Sequence, residues 1–210
     1  VSIYRDVFGA SKEDLWRQLS SEIGACYVEG GFWKGDRVQA WVGPWTVTLD
    51  TESEGSGASR RVHTRIRAPF VNRGHFRFLA YRTGVFSELG KLVGMQDVSI
   101  GFPEFDEIFI IKGSDEERLR KLFSNKKIRD LLHKQPNVRF EIVDLNHAEG
   151  QAPQDTDELR FQVNGAIQDI ELLKQLFELF SVTLNQLCRM GVARGPCPMQ
   201  SSEASDPSPK

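Results

Sequence analysis

The chain has 210 residues, 40% apolar and 27% charged, which suits one large core or two small lobes sharing one. The formal charge is only −2, and no run of 18 apolar residues and no secretory leader can be read in it, so no membrane span is expected within the given chain, and a cytoplasmic location, at most peripheral to a membrane, is expected. Cys26, Cys188 and Cys197 form no CxxC pair and the four histidines are scattered; this predicts free thiols, with Cys26 and Cys188 in the core, and neither a metal site nor a cofactor.

Taken in order, Ser11-Lys-Glu-Asp14 is a helix start, and Leu15, Trp16, Leu19 and Ile23 recur at helical spacing up to Gly24, which predicts a helix over 12–24. Ala25 to Glu29 reads as a short strand. Arg37–Val42 and Trp45–Asp50 alternate around a Gly43-Pro44 turn, as hairpin strands do. After a Glu/Ser/Gly-rich stretch, Arg60 to Ala68 alternates again and Pro69 is expected to close it. A further strand carries Phe76 and Phe78 inward, and 85–93 reads as helical.

Val98 to Ile100 reads as a brief strand. Ile108–Ile111 is a second one, and Gly113, Ser114 and Glu117 then suggest a capping box with Ser114 as N-cap. A helical piece over 125–133, alternating strands at 138–143 and 159–163, and a long helix over 169–190 complete the pattern. The expected fold class is α+β: mostly antiparallel sheet packed against three or four helices. The expected organisation is an N-terminal helix-plus-meander portion (1–93), a strand-helix-strand-strand-helix portion (94–194) that could be continuous with it, and a disordered tail (195–210).

Charge is unevenly spread: residues 60–91 hold eight Lys/Arg and one Glu. Within 61–67, the period of two places Arg61, His63, Arg65 and Arg67 on one strand face, with Arg77 joining from a neighbouring strand. Guanidinium groups this close repel unless acids answer them. Two readings stay open. Distant acids cover the face, or it binds an anionic partner: an acidic protein segment, a phospholipid headgroup or, with weak support from Phe32, Trp33, Trp41 and Trp45 as stacking platforms, a nucleic-acid backbone.

Two rivals remain. Glu104 and Asp106, if on one strand face, could form an acid/base pair of a small hydrolase-like enzyme. The broad stripe of the last helix could instead make a structural homodimer. Gly24, Gly30, Gly31 and Gly35 match no phosphate-cradling loop, and Ser114 sits in no nucleophile motif.

The run Glu104-Phe-Asp-x-x-Phe109, then Ile110-Ile-Lys-Gly-Ser-Asp-x-Glu117 with Leu119, and the later Ile128-Arg-Asp-Leu-Leu132, resembles an uncharacterised family of bacterial α+β domains over roughly 95–190. Ala68-Pro-Phe70, Asn72-Arg73 and Phe76-Arg-Phe78 resemble an N-terminal portion of related hypothetical proteins. The resemblance implies a strand leading into a capped helix, and in several relatives attachment to membrane-spanning helices. It implies no activity, cofactor or site residue. The expectation from sequence is therefore a non-enzymatic interaction module with an anion-binding arginine face.

Overall fold

The computed structural model describes residues 11–31, 35–54, 61–84, 96–145 and 155–194. The elements are α1 (Lys12–Ile23), β1 (Cys26–Val28), β2 (Arg37–Val42), β3 (Trp45–Glu54), β4 (Arg61–Asn72), β5 (Phe78–Arg82), β6 (Gln96–Asp97), α2 (Pro103–Asp106), β7 (Phe109–Gly113), α3 (Glu116–Phe123), α4 (Lys126–Lys134), β8 (Arg139–Asp144), β9 (Thr156–Asn164), α5 (Ile170–Arg189) and β10 (Ala193–Arg194). The strands form one antiparallel sheet in the order β1-β2-β3-β4-β9-β8-β5-β7-β6, with β10 pairing β4. The α+β class with a mostly antiparallel sheet is as expected from sequence.

Strict alternation gives this sheet two unlike faces. One register row runs Val38–Leu49–Ile66–Phe161–Phe140–Ala80–Ile111 across seven strands, and every member is buried. Against it pack the apolar stripes of the helices. α5 contributes Leu173, Leu176, Phe177, Phe180, Leu184 and Leu187, and α1 contributes Leu15, Trp16 and Leu19. Phe78 meets the Phe123 and Phe140 rings edge-on at 5.7 and 5.4 Å. Each such ring adds roughly 0.5–1.5 kcal/mol beyond its burial.

The helix ends follow local chemistry. Ser11 Oγ accepts from the Asp14 amide at 3.1 Å, and Gly24 ends α1 at φ 65°, where a side chain would be strained. Asp169 accepts from the amides of Glu171 and Leu172 to start α5.

Several expectations need correction. The cap of α3 is Asp115, which accepts from the Arg118 amide at 2.9 Å; Ser114 Oγ instead accepts from the Arg77 amide at 3.0 Å and ties β7's end to β5's start. Pro69 does not close its strand: β4 runs on to Asn72. Pro69 falls in the gap between β4's pairing with β3, which stops at Arg67, and with β10, which begins at Val71, so one flank has no strand to miss its N–H. The brief strand lies at Gln96–Asp97, not at 98–100.

Cys26 and Cys188 are exposed, not core. Cys26 sits on the edge strand β1, and Cys188 falls beside the α5 stripe that ends at Leu187. Glu104 and Asp106 lie on the short helix α2, where residues two apart diverge instead of sharing a face. The two sequence portions share one sheet, because β9 pairs β4 while β5 lies between β8 and β7. The expected helix over 85–93, the aromatic pair Phe32 and Trp33, and the tail from 195 lie outside the described residues.

Candidate functional site

The face of the sheet opposite the helices is the site toward which the arginines point. Its central register row reads Cys26–Gln39–Thr48–Arg67–Arg160–Glu141–Leu79–Lys112–Asp97 across nine strands. A flanking row reads Asp50–Arg65–Gln162. No helix among the described residues packs on this face; the buried side chains of all five join the single core on the other side.

The bare guanidinium cluster does not exist. Arg65 makes a two-point contact with Asp50, Nε to Oδ1 at 2.8 Å and Nη2 to Oδ2 at 3.1 Å, and reaches Glu52 at 3.0 Å. Only 17% of its side chain is exposed. Burial works against its charge, but the Asp50 hydrogen bonds and charge outweigh it and hold the pKa above the ordinary arginine value. Arg67 shares Asp50 at 3.1 Å and touches Glu158 at 3.5 Å.

Arg67 and Arg160 stand directly opposite each other, a pairing that repels on its own. Glu158, 3% exposed, lies between them and also holds Arg160 at 2.7 Å. Arg139 pairs Glu141 at 2.8 Å and Lys112 pairs Asp97 at 3.2 Å. Five acids (Asp50, Glu52, Glu141, Glu158, Asp97) thus answer five bases (Arg65, Arg67, Arg139, Arg160, Lys112), so the ladder carries no net charge.

The other predicted residues disperse. Arg61 is exposed at the start of β4, and His63 is 6% exposed two places on. Arg77 belongs to a separate network: one Nη lies 3.0 Å from both Asp144 and Asp157. Asn72 donates to Asp157 and to the Phe76 carbonyl. Burial pushes the Asp157 carboxyl above its ordinary range, although the Asn72 hydrogen bond and the Arg77 charge pull it down.

Asp106 is consumed by its own loop. It accepts from Ser99 Oγ at 2.9 Å and from the amides of Ile100 and Gly101 at 3.1 and 3.0 Å. Glu104 lines a cleft between α2 and α4 that Asp106 does not reach, so the two carboxylates form no pair. No group of three His, Cys, Asp or Glu suited to a metal ion occurs among the described residues.

Sequence alternation placed the arginines on one face. It missed their partners, because Glu158 and Arg160 lie some ninety residues downstream and the β4–β9 pairing has no local signature. It also left Trp41 open between core and surface: Trp45 is buried at 2%, whereas Trp41 is 64% exposed on β2. Period two was the available signal, since Trp41 is out of phase with Val38 and Ala40.

No family model matches the chain. Comparison with curated proteins and with solved structures likewise found no match. No helix among the described residues is long and apolar enough to cross a membrane.

Proposed function

We propose that the protein is a non-enzymatic interaction module that docks a protein partner on the face of its sheet opposite the helices. The observation that carries this reading is the charge-balanced ladder, rimmed by the exposed Trp41. A polyanion would have to displace Asp50 and Glu52 from Arg65, and along the ladder every cation is already answered by a carboxylate. Nucleic acid and phospholipid headgroups are therefore disfavoured. An acidic protein segment fits if it also brings cations for Glu52 and Asp97, which are 43% and 71% exposed. Trp41 supplies the aromatic anchor on which such interfaces depend. The family resemblance remains part of this proposal and rests on the residues quoted for it.

The test compares wild type with Trp41→Ala, a change on an exposed side chain. Wild type is expected to retain a protein partner that Trp41→Ala loses, and to ignore phosphatidylserine vesicles and single-stranded DNA at about 0.15 M salt. Vesicle or DNA binding that disappears with Arg65→Ala would overturn the reading in favour of a polyanion. Partner binding indifferent to Trp41→Ala would reject the face. A solution mass twice the 23.8 kDa of the chain, lost with Trp41→Ala, would make the partner a second copy.

A further inference from the structure

On the helical side, α2 and α4 enclose a half-open cleft of about 390 Å³. That is within the size range of small-ligand sites. One wall is formed by the part-buried Phe102, with Phe105 enclosed behind it in the core. The other is a single stripe of α4, with Lys126, Arg129, Asp130 and His133 at helical spacing.

The charges on that stripe are not equivalent. Lys126 and Asp130 satisfy each other, Nζ to Oδ2 at 2.7 Å. Arg129 is fixed at two points instead: its guanidinium lies 3.5 Å from the Phe102 ring centre, and one Nη donates to the Phe123 carbonyl. It forms no ion pair among the described residues, and its other donors remain. A guanidinium held this way loses little freedom on binding a carboxylate. Glu104, exposed on α2, has no partner among the described residues. His133 closes the cleft floor edge-on to Phe105 at 5.5 Å.

One pre-set cation, one unpaired carboxylate and an aromatic wall therefore share one small concavity. We infer that this cleft binds a free zwitterionic aromatic amino acid, its carboxylate on Arg129, its ammonium on Glu104 and its ring against Phe102. This site is separate from the sheet face and stands or falls without it.

The test is a titration of the ¹⁵N-labelled chain with three probes: L-phenylalanine, 3-phenylpropionate, which lacks the ammonium, and phenethylamine, which lacks the carboxylate. Phenylalanine is expected to shift the amides of Phe102, Glu104, Arg129 and His133 and to saturate at millimolar concentration. Each single-charge analogue should bind about fivefold more weakly, the worth of one exposed charge pair. Glu104→Gln, whose side chain touches solvent, should bind phenylalanine no better than 3-phenylpropionate. Three results would each overturn the inference: no saturating shifts with phenylalanine, 3-phenylpropionate binding as tightly as phenylalanine, or Glu104→Gln leaving phenylalanine affinity unchanged.

Discussion

Glu158 is the residue on which the charged face turns. It is almost fully buried between two guanidinium groups that the β4–β9 register sets opposite each other. Glu158→Gln leaves Arg67 and Arg160 facing without a charge between them. Breaking a buried pair costs about 3–5 kcal/mol, and the partial exposure of Arg67 reduces this to about 2–3 kcal/mol. A shift in the urea midpoint with unchanged slope would show it; a variant as stable as wild type would mean the arginines do not need this acid. Asp157 behaves oppositely. Its folded pKa is raised by burial, despite Arg77 and Asn72, with Asp144 raising it further and His75 lowering it. The protonated form is therefore favoured by folding, and that contribution is complete below the usual aspartate value of about 3.9 and is lost as pH rises through the raised value. Asp157→Asn keeps the shape and cannot ionise. The stability advantage of wild type over this variant should shrink between acid and neutral pH; an advantage that grows with pH would contradict the burial argument. At this scale the sequence showed which residues alternate, and so Arg65 and Arg67 could be set on one face from the chain alone. It could not show Asp50 or Glu158 as their partners, since side-chain pairing across a sheet depends on register.

The junction of β7 and α3 shows what is readable within one element and what is not. The strand, the break and the following helix were all plain in Ile108 to Phe123, because apolar period and turn chemistry are local. The cap was misassigned by one residue, because Ser114 and Asp115 are both good caps and the choice is made by Arg77, whose backbone occupies Ser114. Gly113 has a similar tertiary reason. A Cβ there would lie 2.6 Å from Leu119 Cδ1 and 2.8 Å from the Arg77 carbonyl oxygen. The Leu119 methyl can move, but the carbonyl is held by the Ser114 amide at 3.1 Å. Gly→Ala in a compatible site stabilises by about 0.4–1 kcal/mol through the unfolded chain. Overpacking against fixed backbone costs about 1–3 kcal/mol and outweighs that gain. Gly113→Ala should therefore lower the melting temperature, and a rise would show that the β5–β7 junction yields freely.

Across the whole molecule, the order of strands decides how the chain can come apart. Each portion reads as a plausible unit in sequence, because strand and helix signals are local while sheet order is not. Among the described residues β5 lies between β8 and β7 and comes from the first portion, whereas β9, from the second, covers the long flank of β4. Separating residues 1–93 from 94–210 would strip β5's apolar neighbours from Phe78 and Ala80 and split the Phe78–Phe140 contact. It would also leave the buried Ile66, Ala68 and Phe70 of β4 without Leu159 and Phe161 beside them. Large-to-small changes at single core sites of this kind already cost about 2–5 kcal/mol, and the cut removes many such contacts at once against a total stability of about 5–15 kcal/mol. Neither fragment should give dispersed amide signals alone, an equimolar mixture should recover them, and the intact chain should unfold in one transition by fluorescence and by far-ultraviolet dichroism. A 94–210 fragment that folds cooperatively by itself would show that the second portion carries a complete core and that the shared sheet is an interface between two domains.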